Sequence, residues 1–175
     1  MPSRQPAGPF DSAQGRLPAL RSSRYTCAVA GTETVREVIT HSAEETTSFG
    51  RSLVSLLAPP KLVVLRGDLG AGKTTLIKGI AAGFHAASEE DVTSPTFTLV
   101  HEYRGPAATL YHIDLYRIDT PRQLETLGLD DLDSESSILL IEWGEKFARF
   151  VKNCDFEFQI DRLGESERRI RVLGR

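Results

Sequence analysis

Several stretches of the chain carry the hydrophobic pattern of β-strands. Two are apolar throughout, Leu62–Leu65 and Ile138–Ile141, and predict buried strands. The others alternate apolar and polar residues, which is typical of half-buried strands. They are Thr34–Thr40, Phe97–Tyr103, Thr109–Leu115, Asp155–Asp161 and Arg168–Leu173. The last two flank a short turn that contains Gly164, so they predict an antiparallel hairpin.

Capping signals predict where two helices begin. Ser42 precedes Glu45 in capping-box spacing, which predicts a helix over residues 43–57. Thr120 and Gln123 repeat that spacing ahead of a shorter helix. In both cases a side-chain oxygen is expected to satisfy backbone N–H groups that the first helical turn leaves without partners.

A third helix is predicted over Thr75–Ala87 from the apolar stripe on one of its faces. Its Gly79 and Gly83 lower helix propensity, so we expect them to allow close packing on the sheet. Together the elements predict an α/β fold, with a parallel core sheet flanked by helices and by antiparallel strands that include the C-terminal hairpin. Residues 25–175 are expected to form this single domain, and residues 1–24, rich in Pro, Gly, Ser and Arg, a disordered extension.

The segment between the first buried strand and the third helix matches the phosphate-binding pattern G-x-x-x-x-G-K-[ST]. Glycines let successive backbone N–H groups turn inward around phosphate oxygens, and the following helix adds the positive end of its dipole. The alternative is a glycine-rich turn before an ordinary helix, but the strand before and the helix after favour a P-loop NTPase fold. The residues predicted to bind nucleotide are Gly67, Asp68, Leu69, Gly70, Ala71, Gly72, Lys73, Thr74 and Thr75.

Two residues of this loop have separate chemical roles. Lys73 is predicted to place its charge on the β- and γ-phosphates and to act in catalysis, and Thr74 to offer its hydroxyl to Mg²⁺. The side chain of Asp68 stays without an assigned role. Because no N-K-x-D element follows the loop, guanine specificity has no support and ATP is the expected nucleotide.

Two acids end clear strand patterns after the loop. Asp114 and Glu142 are predicted to bind Mg²⁺ or its water shell and to take part in hydrolysis, because ligands of open α/β sheets gather at the carboxyl ends of strands. The alternative for both is a solvated strand end. His112 is interpreted as a satisfied sheet histidine rather than a base. Arg117 could meet phosphate or a partner, but a pair with Asp114 is the plainer interpretation.

The roles of the Ser94-Pro95-Thr96 turn and of Trp143 remain open at this point. Ser94 and Thr96 either punctuate the chain before a strand or sense the γ-phosphate. Trp143, the sole tryptophan, follows Glu142 directly. It could pack in the core, cover the nucleotide or anchor a partner protein.

Composition narrows the possible partners. The net charge is −3, and residues 1–24 carry four Arg against one Asp, so the remainder carries −6. Such an acidic body argues against a large nucleic-acid-binding face, and we expect neither DNA nor a membrane as a partner. Cys27 and Cys154 show no metal-site or disulfide spacing. These features are typical of a cytoplasmic protein.

Four motifs in one order carry a family resemblance: GDLGAGKTT, TSPTFTLVHEY, YHIDLYR and IEWGE. In this order and spacing the chain resembles the small bacterial P-loop ATPases of tRNA threonylcarbamoyladenosine (t⁶A) biosynthesis, the TsaE family, also called YjeE. The resemblance covers nearly all of residues 36–173. Two departures are the Arg-rich N-terminal extension and Gly144, where many members have proline.

The resemblance implies roles for specific residues. Lys73 would contact phosphate, and Thr74 would bind Mg²⁺. The family's switch-like segment would correspond to Ser94–Thr96, and its acid in the HxDxYR stretch to Asp114. Its Walker B acid and adjoining tryptophan would correspond to Glu142 and Trp143.

The resemblance also implies partners. Members of the family bind a heterodimer of the threonylcarbamoyl-transferase subunit and its inactive paralogue, of the TsaD and TsaB type, and meet tRNA only indirectly. ATP hydrolysis would reset that complex between rounds of modification at adenosine 37. Two other functions stay open: a docking module in which nucleotide binding is the output, and a small-molecule kinase. The short chain after Glu142 leaves little room for a kinase's lid and acceptor pocket.

Overall fold

The computed structural model describes residues 33–175. The predicted extension, residues 1–24, and Cys27 lie outside the described residues. Within residues 33–175, no helix is both long and apolar enough to cross a membrane.

The described residues form a seven-stranded mixed sheet with the order β1-β7-β6-β2-β5-β4-β3. The strands are β1 Glu33–Thr40, β2 Lys61–Arg66, β3 Val100–Arg104, β4 Thr109–Asp114, β5 Ser137–Glu142, β6 Phe156–Arg162 and β7 Arg168–Gly174. Strands β6, β2, β5 and β4 run parallel, and β1, β7 and β3 pair antiparallel with their neighbours. The predicted parallel core with antiparallel flanks and a C-terminal hairpin is therefore confirmed.

Helices cover both faces of the sheet. They are α1 Ala43–Ser52, α2 Lys73–Gly83, α3 Pro121–Glu125 and α4 Ala148–Asn153, with 3₁₀ turns at Leu53–Leu56, Leu129–Leu132 and Gly144–Lys146. The side chains of β2 alternate between two hydrophobic clusters. Val63 and Leu65 pack with α1 and α2, whereas Leu62 and Val64 pack with α3 and α4. This double burial explains why β2 is apolar throughout.

Both predicted caps are present, with one difference in detail. The Ser42 hydroxyl accepts the Glu45 N–H at 3.1 Å, but the Glu45 carboxylate accepts from the His41 N–H instead of from Ser42. Thr120 and Gln123 form the complete reciprocal box. The first helix was predicted to reach residue 57, but its α-helical part ends at Ser52 and a 3₁₀ turn follows.

Two other sequence predictions were wrong at their edges, and a third was wrong about a packing partner. The strand predicted from Phe97 begins only at Val100, because the Leu99 N–H donates to the Pro95 carbonyl and Leu99 turns to a φ of 67°. The helix predicted to reach Ala87 ends at Gly83. A Cβ added at Gly79 would lie 2.0 Å from the backbone oxygen of Thr47, so this glycine allows close packing against α1 rather than against the sheet.

Candidate functional site

The phosphate-loop segment connects the end of β2 to the start of α2. Gly67, Gly70 and Gly72 have positive φ angles of 157°, 74° and 111°. At Gly67 an added Cβ would stand 2.5 Å from the Ile160 carbonyl, so the backbone passes too close to β6 for a side chain. The loop therefore has the conformation that glycine alone adopts without strain.

Lys73 is the first residue of α2, and its ammonium folds back over the loop. Nζ donates to the carbonyls of Gly67 and Asp68 at 2.7 and 3.0 Å, and lies 4.1 Å from the centroid of the Trp143 ring. Burial lowers the pKa of Lys73 from its ordinary value, while the nearby Glu142 carboxylate opposes that shift. The side chain is thus a buried cation directed into the loop.

Thr74 and Glu142 join the loop to the end of β5. The Thr74 hydroxyl donates to Oε1 of Glu142 at 2.8 Å, and Nε2 of His112 lies 2.9 Å from the same oxygen. Glu142 is 4% exposed and His112 is fully buried. One carboxylate oxygen therefore has two close partners from two different elements.

Asp114 occupies the matching position on β4, where it pairs with Glu142 in the strand register. Its Oδ2 accepts from the hydroxyls of Ser94 and Thr96 at 3.0 and 2.7 Å. Its Oδ1 accepts the backbone N–H of Tyr116 at 2.9 Å. This carboxylate holds the Ser-Pro-Thr turn against the end of the sheet.

Within residues 33–175, Asp114 and Arg117 do not form the ion pair that the sequence suggested. The Arg117 guanidinium instead lies 4.2 Å from the centroid of the Phe97 ring. Because the three donors from the turn and from Tyr116 already surround Asp114, the arginine is left to stack on an aromatic ring.

Trp143 lies within the site and is only half-buried. It has a φ of 62°, which turns the chain at the end of β5, and its ring lies 5.2 Å from that of Tyr116 between centroids. With the Lys73 ammonium on the same ring, Trp143 contacts loop residues directly rather than only the core.

A cavity of about 380 Å³ collects most of the residues predicted for the site. Its predicted lining residues are Leu69, Gly70, Gly72, Lys73, Thr74, Thr75, Ser94, Thr96, Asp114, Glu142 and Trp143. Gly67 and Asp68 line a neighbouring cavity of about 630 Å³, and Ala71 is buried. The structure thus brings together residues that are far apart in the chain.

The available oxygen donors suit Mg²⁺ better than a metal that needs a full protein cage. Among residues 33–175 there is no group of three or more His, Cys, Asp or Glu placed to hold a metal. The loop instead offers one hydroxyl and nearby carboxylates. Mg²⁺ commonly takes few protein ligands and completes its shell with phosphate and water, so the residues present fit that ion.

Sequence reasoning missed the place of His112 in this site. Its signal was the shared strand face of His112 and Asp114, two residues apart. The sequence could not show that the imidazole reaches Glu142, because that contact depends on β4 lying beside β5.

The chain matches the family model described as "Threonylcarbamoyl adenosine biosynthesis protein TsaE" over residues 40–170. The chain belongs to the TsaE family. The TsaE protein of Aquifex aeolicus is 38% identical over 140 residues, covering 80% of this chain and 97% of that protein. The TsaE protein of Bacillus subtilis is 36% identical over 131 residues, covering 75% and 80%.

A solved structure has a similar fold. The crystal structure of Bacillus subtilis YdiB superposes with a TM-score of 0.64 at 29% identity, covering 83% of this chain and 88% of that one. The fold is that of a P-loop NTPase. The residues matched to the TsaE model include every residue described above for the cavity.

Proposed function

We propose that this chain is an ATP-hydrolysing accessory subunit of the machinery that makes N⁶-threonylcarbamoyladenosine at position 37 of tRNA. The observation that carries the proposal is the hydrogen bond from the Thr74 hydroxyl to Glu142. Because the hydroxyl donates a hydrogen bond to the carboxylate, its oxygen lone pairs remain free for a cation. Membership of the TsaE family supports the pathway.

Two loop residues and two acids at strand ends have roles in binding Mg·ATP under this proposal. Thr74 would bind Mg²⁺ directly, and Glu142 would hold the ion's water shell, with Asp114 as a further carboxylate at the same edge. Lys73 would exchange its loop carbonyls for the β- and γ-phosphates. The bound ion would neutralise charge on the phosphate oxygens.

Hydrolysis then needs an oriented water molecule. Its oxygen attacks the γ-phosphorus, the bond from that phosphorus to the β–γ bridging oxygen breaks, and ADP and inorganic phosphate leave. The proton of the water passes to a phosphate oxygen or to solvent. Glu142 and the Ser94 and Thr96 hydroxyls, which line the same cavity, are the groups placed to orient that water.

The nucleoside has room on the other side of the loop. A cavity of about 270 Å³ is lined by Gly70, Gly72 and Thr75, and also by Ser42 and Arg168. An α-phosphate at the N-terminus of α2 would direct the ribose and base toward it.

The rim of the phosphate cavity suits a protein partner. Leu69 at the loop and Phe97 in the Ser-Pro-Thr segment are 75% and 82% exposed, which is unusual for large apolar side chains. Both belong to segments that would contact nucleotide, so a partner seated there would sense its state. We propose the transferase subunit and its inactive paralogue, of the TsaD and TsaB type, as that partner, with tRNA met indirectly.

The test is ATP turnover with and without the two partner proteins. We expect the isolated chain to release phosphate slowly, and we expect the partner proteins to stimulate that release. The Glu142→Gln variant should lose at least about 10-fold in turnover, because an uncharged amide replaces the carboxylate that would orient the water. Stimulated turnover that survives this substitution would contradict the role of Glu142. Sustained modification with a non-hydrolysable ATP analogue would show that nucleotide binding alone is the output.

Phe97 provides a second arm of the same experiment. The Phe97→Ala variant should lose stimulation while keeping unstimulated turnover, because Phe97 is exposed at the rim and does not line the cavity itself. Val35→Ala is the matched control, since Val35 is also exposed but lies on β1. Equal effects of the two substitutions would argue against a partner surface at this rim.

A further inference from the structure

His112 stands out because a histidine in the middle of a sheet is completely buried and yet touches the carboxylate at the site. It has 0% exposure, and its Nε2 lies 2.9 Å from Oε1 of Glu142. Its other ring nitrogen, Nδ1, is buried and has no hydrogen-bond partner. A side chain that merely filled space would be better apolar, because an unpartnered buried nitrogen is costly.

The contacts decide which nitrogen carries the proton. A carboxylate oxygen can only accept, so Nε2 must be the donor. Nδ1 has no hydrogen-bond partner, and at a buried position an unpartnered lone pair costs less than an unpartnered N–H donor. The structure therefore assigns a proton to Nε2 of His112.

The effect on Glu142 follows from the shared oxygen. Thr74 and His112 both donate to Oε1, one from α2 and the other from β4. With Oε1 held from two rigid elements, Oε2 is the oxygen left for water or a metal shell. Groups fixed by a second layer of hydrogen bonds on regular elements hold their geometry better than groups on loops.

We propose that His112 is a positioning residue that fixes the rotamer of Glu142 for the Mg²⁺-dependent step; this inference rests on the function proposed above. His112 itself does not line the cavity proposed for nucleotide and ion. Its contribution is a single hydrogen bond from Nε2–H that holds one carboxylate oxygen of Glu142.

Three variants test this role. His112→Gln keeps an amide N–H the same number of bonds from Cβ as Nε2, whereas His112→Leu removes the donor at similar bulk. His101→Leu is the matched control, because His101 lies opposite His112 on β3 but bonds to Thr98 and Tyr103. For each protein, calorimetry measures ADP affinity in EDTA and in Mg²⁺, and a thermal melt measures stability.

We expect the gain in ADP affinity on adding Mg²⁺ to fall by about 10–100-fold in His112→Leu. This is the range of affinity loss found when a residue that hydrogen-bonds to a metal ligand is replaced. Affinity in EDTA and the melting temperature should stay near the parent values, His112→Gln should recover most of the gain, and His101→Leu should resemble the parent. ¹⁵N spectra of the parent should show the proton of His112 on Nε2.

Two results would overturn the inference while leaving the proposed function intact: an unchanged Mg²⁺ effect in His112→Leu, or a His112 proton on Nδ1. Equal losses in EDTA and in Mg²⁺, or a Gln variant as weak as Leu, would show a merely structural role and would also overturn it. If the ADP affinity of the parent protein is the same in EDTA and in Mg²⁺, the proposed function is overturned, and the inference with it.

Discussion

The hydroxyl of Thr74 and the carboxylate of Glu142 are 68 residues apart in the chain and 2.8 Å apart in space. Thr74 is in the first turn of α2, and Glu142 is the last residue of β5. The parallel pairing of β2 with β5 places the two strand ends side by side. The bond therefore depends on the strand order of the sheet and not on local sequence.

Removing the Thr74 hydroxyl should weaken the Mg²⁺-dependent part of nucleotide binding. Thr74→Val keeps the shape but leaves Glu142 without one of its donors. Hydrogen bonds to charged groups contribute about 1.5–3 kcal/mol, so we expect a loss of about 10–150-fold, with Thr74→Ser close to the parent. Calorimetry with ADP and Mg²⁺ measures this, and a Val variant with parental affinity would contradict the role of the hydroxyl.

Lys73→Met should lower nucleotide affinity both with and without Mg²⁺, because in the proposed function the ammonium binds phosphate rather than the ion. The same range of about 10–150-fold applies.

In the parent protein, nucleotide should also change the fluorescence of Trp143, because Lys73 must leave that ring to reach phosphate. Since Trp143 is the only tryptophan, the signal has one source. No change on saturation with ADP would count against this movement.

Gly79→Ala should destabilise the fold without touching the cavity. The new Cβ would meet the Thr47 carbonyl at 2.0 Å, which forces α1 and α2 apart. Overpacking of this kind costs about 1–3 kcal/mol in the free energy of unfolding. Gly164→Ala is the control, because its nearest neighbour is the flexible Glu167 carboxylate at 3.4 Å. Urea unfolding compares the two, and similar midpoints would contradict the helix contact.

Glu145→Gln should stabilise the protein at neutral pH. Burial raises the pKa of the Glu145 carboxyl above its ordinary value of 4.5, so the folded state resists its ionisation. Below that ordinary value the carboxyl is neutral in both states, and the variant gains nothing. The gain appears as pH rises from 4.5 through the raised pKa and then levels off. Melting temperatures from pH 4 to 8 check the trend, and a pH-independent difference would contradict it.

Local sequence patterns predicted most helices and strands, because hydrophobic alternation and helix capping depend on residues close together in the chain. Alternation along Thr109–Leu115 does place Leu110 and Ile113 in opposite clusters, and the Thr120 cap forms as its spacing predicts. The predictions were wrong where a local turn broke a longer pattern. At Leu99 the hydrogen bond to Pro95 ends the alternation that began at Phe97, and nothing in the hydrophobic pattern signals that turn.

The sequence by itself determined the phosphate loop, the strand-ending acids and the family, because each is encoded in contiguous residues. Only the tertiary structure decided how those groups combine. Strand order placed Glu142 beside Thr74 and His112, and the turn at Leu99 placed Ser94 and Thr96 on Asp114. These hydrogen bonds join residues brought together by sheet pairing or by that turn, and such distances have no signature along a single chain.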